Sequence, residues 1–159
     1  MTPAQRTAAI TVLAAAIAVP AEGLRQWAYR DPPGILTICY GHTGPDVTAK
    51  SYRTMDECKA LLDQDMAQAV AAVERCQPGL PVPIAASLAD GVYNGGTRMA
   101  CDRPNSTLAR LLDQKRYDEA CRQHPRWNKS RVAGVLVELP GLTKRTKERE
   151  ALCLTWRQG

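Results

Sequence analysis

Two carboxylates and a hydroxyl stand close together near the N-terminus. Glu22 is followed after eight residues by Asp31, and Asp31 after five more by Thr37. A carboxyl that keeps its proton can donate it to the leaving oxygen of a glycosidic bond, while a second, ionised one activates water or stabilises positive charge on the sugar. A hydroxyl beside the second carboxylate can orient that water. Two such carboxylates are also ordinary surface charges, so the trio means nothing unless the chain brings it together. Asp31-Pro32-Pro33-Gly34 is a strong turn signal, because proline presets φ and glycine accepts positive φ. Ile35 to Tyr40, rich in β-branched and aromatic residues, predicts a strand on which Thr37 shares a side with Ile35 and Cys39. Gly23 predicts a helix end directly after Glu22. If the chain before Asp31 folds back across the turn, Glu22, Asp31 and Thr37 line one cleft. Arg25 and Arg30 flank it and could lower a carboxylate pKa by proximity, with solvent-facing charge the preferred role for Arg25.

The order Glu, eight residues, Asp, five residues, Thr, followed by Cys39-Tyr40-Gly41-His42-Thr43-Gly44, resembles the catalytic signature of phage-type lysozymes, glycoside hydrolase family 24. The resemblance takes in Glu57-Cys58, Leu61 to Asp65, Asp90 to Gly96, Ser106-Thr107-Leu108, Leu139 to Arg145 and Glu148 to Glu150, nearly the whole chain after Pro20. It departs around Val132 to Glu138, where the family often has a shorter glycine-rich piece. The resemblance implies Glu22 as general acid, with Asp31 and Thr37 positioning water on the opposite face. It implies an inverting hydrolysis of the β-1,4 bond from N-acetylmuramic acid to N-acetylglucosamine. Asn94 would edge the substrate cleft, where an amide suits N-acetyl groups, and Arg145 would stand near it. His42 would be structural, bonded behind the active-site strand, although its titration near neutrality invites a catalytic role.

The chain of 159 residues is one domain's worth and long enough to bury a core. A net charge of +5 suits an anionic polymer, either bacterial wall or nucleic acid. No zinc-finger spacing, RNA-binding aromatic motif or basic helix supports nucleic acid, so none is expected as a partner. Phenylalanine is absent, so the core must rest on Leu, Ile, Val, Ala and a few Trp and Tyr. The six cysteines are too widely spaced for paired zinc sites. They are buried thiols in a cytosolic chain and up to three disulfides in an exported one. Among fifteen pairings, Cys39 with Cys58, Cys76 with Cys101 and Cys121 with Cys153 would join elements expected to be neighbours.

Thr7 to Val19 is an uncharged, alanine-rich run, shorter than the ~20 residues of a comfortable membrane span. Arg6 and the terminal amine precede it and orient the N-terminus toward the cytoplasm. Ile10, Val12, Leu13, Ile17 and Val19 together favour the bilayer by only roughly 1.5–3 kcal/mol. The run is a cleaved signal peptide ending at Ala16-Ile17-Ala18, a plain amphipathic first helix, or an uncleaved anchor that later slips out of the membrane. The last, preferred here, resembles the signal-arrest-release segments of part of this endolysin family. It divides the chain into an anchor-like segment, 1–21, and a catalytic domain, 22–159, and implies residence at the host inner membrane and then in the periplasm.

The supporting elements read as follows. Thr54-Met55-Asp56-Glu57 is a capping box opening a helix whose stripe of Met55, Cys58, Leu61, Leu62, Met66, Ala69, Val70 and Val73 is core. That helix should bridge two lobes and stop before Gln77-Pro78-Gly79. Gly44 to Ser51 should supply a loop and short strand finishing a small β lobe. Pro83 can open a helix that Asn94-Gly95-Gly96 stops, and Ser106 can cap a short one. Tyr117 to Arg122 and Leu142 to Leu154 are further helices, with Trp127, Val135, Leu136 and Val137 packed into the helical lobe. Lys144, Arg145, Lys147 and Arg149 form either a basic face for wall polymer or a solvated helix face.

The expectation is an α+β, lysozyme-like fold with a small β-rich N-terminal lobe, a larger helical lobe and the cleft between them. The function expected is a monomeric endolysin muramidase cutting peptidoglycan glycan strands for host lysis, without metal or organic cofactor. The rivals are a lytic transglycosylase, which needs the acid but no water-directing pair, and a wall-binding protein without catalysis.

Overall fold

The computed structural model describes residues 1–158. Its first helix, α1 (Pro3–Glu22), starts from a capping box: the Thr2 hydroxyl accepts from the Gln5 N–H, and the Gln5 side chain accepts from the Thr2 N–H. It ends at Gly23, whose φ of 70° lies in the left-handed region that glycine enters without penalty. Ile10, Ala14, Ile17 and Ala18 form its buried stripe. That stripe packs against α3 (Val82–Gly95) and α2 (Met55–Cys76). The opposite side is not polar: Ala8, Val12 and Ala16 are exposed there. The Arg6 fork grips Glu74 near the end of α2 through two hydrogen bonds of 3.0 Å each.

The β lobe is an antiparallel pair, β1 (Arg25–Arg30) and β2 (Leu36–Cys39), with Tyr29 opposite Thr37 and Arg30 opposite Leu36. The expected turn closes it. Gly34, at φ 89°, donates to the Asp31 carbonyl at 2.8 Å. The segment through Gly44 to Ser51 forms turns without a strand of its own. Residues 51–53 instead lie beside β1, where the Ala28 N–H donates to the Ser51 carbonyl and the Arg53 N–H to the Gln26 carbonyl. Ile38, Cys39, Val47 and Cys58 make a small core under this lobe.

Helix α2 carries the expected capping box at Thr54 and Glu57 and ends at Gln77. Its stripe is core from Cys58 onward, but Met55, in the first turn, is 63 % exposed. Helix α3 begins at Val82 after Pro81, one residue earlier than expected. Short helices α4 (Arg98–Cys101), α5 (Thr107–Asp113) and α6 (Tyr117–Cys121) follow, with the Ser106 hydroxyl capping α5 as expected. A 3₁₀ turn (His124–Trp127) leads to a feature the sequence reading lacked, a hairpin of β3 (Lys129–Val132) and β4 (Val135–Glu138). Its two-residue turn, Ala133-Gly134, has positive φ at both positions, the twist that suits a tight hairpin. Val135 and Leu136 are therefore exposed rather than packed into the helical lobe, while Trp127 does pack against its core. Helix α7 (Pro140–Cys153) closes the fold.

The three disulfides are Cys39–Cys58, Cys76–Cys101 and Cys121–Cys153, the expected set. Each joins elements distant in sequence: β2 to α2, α2 to α4, and α6 to α7. With a sequence separation of 32, the last restricts the unfolded chain most. Replacing Cys121 and Cys153 by alanine together should lower stability by about 3 kcal/mol. The drop would appear in urea denaturation of the oxidised proteins, and an unchanged midpoint would refute the stabilising role.

Candidate active site

The cleft between the lobes encloses about 1090 Å³ and is lined by all five residues singled out from the sequence: Glu22, Asp31, Thr37, Asn94 and Arg145. Glu22 reaches it as the last residue of α1. Asp31 sits in the turn and Thr37 on β2, so the helical lobe supplies one carboxylate and the β lobe the other. Asn94 is at the end of α3 and Arg145 on α7.

Glu22 lies in a tight seat. A side-chain carbon added at Gly41 would fall 1.9 Å from its Oε2, so the absence of a side chain there leaves the space that the carboxylate fills. On the other side, Arg145 Nη1 stands 3.1 Å from Glu22 Oε1 and donates to Asn94 Oδ1, also at 3.1 Å. The rest of the Arg145 fork faces inward to Asp90, with Nε and Nη2 donating to its two oxygens at 3.1 and 2.7 Å. Arg149 Nε adds a third bond to Asp90 at 2.6 Å. Asp90 is fully buried and Arg145 and Arg149 nearly so. The expected basic face on α7 is therefore not one surface. Lys144 and Lys147 are exposed, while the two arginines turn into the protein to meet Asp90.

The electrostatics follow from this geometry. Burial pushes the Glu22 carboxyl above its ordinary value; Arg145 pulls it back by charge and hydrogen bond, and Asp90 partly cancels that pull. The net direction is upward, toward a carboxyl that keeps its proton. The cations acting on Glu22 are Arg145 and, less strongly, Arg149, not Arg25 or Arg30. Arg25 lies over the Tyr29 ring at 4.3 Å, and Arg30 donates to the Gly34 carbonyl.

Asp31 Oδ1 accepts the Ile35 N–H at 2.7 Å, which fixes the carboxylate across its own turn. The Thr37 hydroxyl donates to the Ile35 carbonyl at 2.9 Å, so its lone pairs remain free to accept. His42 is buried, with Nδ1 2.7 Å from Asp65 of α2 and Nε2 2.9 Å from Asp46. Burial acts to lower its pKa, but the two carboxylates outweigh that and raise it. In the cleft wall, the Tyr93 hydroxyl donates to the Tyr40 carbonyl and ties α3 to the β lobe.

The phage lysozyme family model matches residues 20–149, all but the start and end of the chain. The chain belongs to that family. Relatives include the SAR-endolysin of Bacteriophage PS34, 36 % identical over 86 % of this chain and 78 % of that protein. The SAR-endolysin of Enterobacteria phage P21 is 35 % identical over 86 % of this chain and 79 % of its own. Among solved structures, the muramidase domain of SpmX from Asticaccaulis excentricus matches with a TM-score of 0.72 at 27 % identity, covering 92 % of this chain and 95 % of that one. The active form of the P1 phage endolysin Lyz shares the fold, with a TM-score of 0.74 at 19 % identity over 94 % of this chain and 93 % of that one. The protein is thus a phage lysozyme of the SAR-endolysin kind, a glycoside hydrolase that lyses peptidoglycan.

Within this phage lysozyme, Asp90 and Arg149 were not singled out as site residues, although signals for both exist. Asp90 interrupts the apolar face of α3, and Arg145 and Arg149 are one helical turn apart on α7. Gly41 gives no such signal, because its role depends on a carboxylate nineteen positions earlier in the chain.

A carboxyl whose folded pKa is raised favours folding while it is protonated, and that contribution is lost as pH rises through the folded pKa. Glu22→Gln removes the ionising group. Its melting temperature should exceed the parent's at pH 7, and the gap should close at pH 3, where Glu22 is protonated in both folded and unfolded chains. A gap that is constant across the pH range would contradict a raised pKa for Glu22.

Proposed function

We propose that Glu22 is the general acid of a muramidase that cuts the β-1,4 bond from N-acetylmuramic acid to N-acetylglucosamine. The observation that carries this is the seat of Glu22: largely withdrawn from solvent, pressed on Gly41, raised in pKa, yet held in place by Arg145. It donates its proton to the leaving glycosidic oxygen. The Asp31 carboxylate on the facing lobe accepts one hydrogen of a water molecule and takes that proton as the water attacks; the Thr37 oxygen accepts the other. The water lone pair then faces the anomeric carbon, and inversion follows from attack opposite the leaving group. Asn94 is a substrate-edge residue. Its Oδ1 is engaged by Arg145, and its Nδ2 makes no hydrogen bond among the described residues, leaving it to donate to an N-acetyl carbonyl. A transglycosylase has no use for Asp31 and Thr37 in these positions, and its products would end in anhydro-sugars.

Lysis of outer-membrane-permeabilised Gram-negative cells tests the assignment. Glu22→Gln should lower the rate by at least about a hundredfold, the usual scale for loss of a general acid. Products from the parent should carry reducing ends; equal lysis by both proteins would remove Glu22 from catalysis.

The N-terminal helix supports a second part of the reading. Residues 1–21 act as an anchor in the host inner membrane that later leaves it, and 22–159 form the catalytic domain of a periplasmic monomer. Helix α1 is long and apolar enough to cross a membrane, and its solvent side is apolar where a soluble first helix would be polar. Because Glu22 is the last residue of α1, an anchored helix holds the acid at the membrane and away from Gly41 and Arg145. Release completes the cleft. Ala18→Leu should overfill the buried stripe, at a cost of about 1–3 kcal/mol, while making the segment more apolar. The variant should shift from the soluble to the membrane fraction and lyse later; an unchanged distribution would sink the two-state idea.

A further inference from the structure

Of three tryptophans, Trp127 and Trp156 pack against the helical core, whereas Trp27 on β1 is 66 % exposed. An indole left in water at this scale forgoes a large burial gain and marks a surface for a partner. Trp27 is not alone. Its ring centroid lies 4.8 Å from that of Tyr52, itself 45 % exposed. The two are bridged through their backbones, and the Gln26 amide donates to the Tyr52 hydroxyl at 3.2 Å. The pair is therefore held before any ligand arrives, which spares the ordering cost of binding.

Positive charge surrounds it. Exposed Arg25 lies on the same strand and exposed Lys50 shortly before Tyr52, while Arg53 is held by the Tyr52 and Asp46 carbonyls and lies 3.8 Å from the Asp46 carboxylate. The platform is distinct from the cleft, whose lining does not include Trp27 or Tyr52. It nevertheless adjoins the cleft, since Tyr29 of the same strand lines it and carries the Arg25 guanidinium over its ring.

We propose that the Trp27–Tyr52 face is a second glycan-binding surface, which holds a peptidoglycan strand outside the cleft. The proposal rests on the muramidase reading and adds a site to it. A pyranose ring offers a C–H face that stacks on aromatic planes. The carboxylates of the peptide stems suit Arg25 and Lys50, which are exposed. A single cleft can engage only a few sugars of an insoluble mesh, and a nearby second contact raises the effective concentration of strand at the cleft. A lipid surface is the competing partner, because Leu24 and Met55 are also exposed nearby in sequence. The hydrogen-bonded, cation-flanked aromatic pair favours the glycan.

Binding is measured in the Glu22→Gln background, so that nothing is digested. Co-sedimentation with purified sacculi is compared with calorimetry on a soluble muropeptide tetrasaccharide and with flotation on phosphatidylglycerol vesicles. Trp27→Ala should weaken sacculus binding by about tenfold, the scale of one aromatic contact, and weaken tetrasaccharide binding much less. Trp27→Tyr, which keeps a planar face, should restore most of the loss, and Trp27→Leu should not. Unchanged sacculus binding in Trp27→Ala, equal losses on both glycans, or leucine serving as well as tyrosine would overturn the proposal. So would a Trp27-dependent affinity for vesicles without one for sacculi. Lysis by the protein carrying Glu22, run alongside, separates failure of this surface from failure of the muramidase reading.

Discussion

The cleft depends on one buried ion cluster. Asp90 has no exposure, and removing such a carboxylate from water costs several kcal/mol unless good geometry offsets it. Three N–H groups from two arginines supply that geometry. A guanidinium is planar and donates along several edges, so Arg145 can satisfy Asp90 with one edge and still present Nη1 to Glu22 and Asn94. A lysine would offer a point charge and lose this division of labour. Asp90 also offsets one of the two arginine charges. Without Asp90, the full positive charge of Arg145 and Arg149 would act on Glu22 and favour its ionised form. With Asp90 present, burial decides, and the carboxyl is pushed toward holding its proton.

The same economy of charge surrounds His124, buried behind α3. Its Nε2 lies 3.1 Å from the Ser87 oxygen, and that hydroxyl already donates to the Ile84 carbonyl. The ring nitrogen must therefore be the donor, which fixes a neutral tautomer. Burial and the neighbouring Arg149 charge push the pKa of this histidine down to about 3, with Asp90 opposing. His42 meets the opposite environment: two carboxylates around the ring favour the charged form. One histidine thus fills a core without adding charge near the Asp90 cluster, while the other joins the β lobe to α2 through Asp46 and Asp65.

What was legible in the sequence was local. The Asp31 to Gly34 turn, the Thr54 box, the Ser106 cap and the Gly23 helix end are each specified by a few adjacent residues, and each formed. The spacing of Glu22, Asp31 and Thr37 was readable because a short turn connects them. The β3–β4 hairpin was missed because Val135, Leu136 and Val137 read equally well as core, and only the two positive-φ positions at Ala133 and Gly134 reveal a ribbon. The orientation of α7 was missed for a different reason. Four basic residues in six positions look like a polar face until a buried Asp90, fifty-five residues earlier than Arg145, gives two of them an inward partner. Such a contact leaves no mark in a local window.

Docking of α1 is the step on which the acid's position rests, and its energetics are finely matched. Burying Ile10 and Ile17 is worth about 1.5–3 kcal/mol each, which exceeds the roughly 1.5–3 kcal/mol that the whole apolar run gains from a bilayer. Ala14 and Ala18 add little apolar area, but their small size lets α1 approach the alanine-rich start of α3. The Arg6–Glu74 fork adds a modest, partly exposed ion pair at the far end. Docking therefore rests on the buried stripe within a helix of twenty residues. Glu22 sits at the last of those residues, where an incomplete dock is felt most. Any side chain at Gly41 would collide with the carboxylate that α1 delivers there.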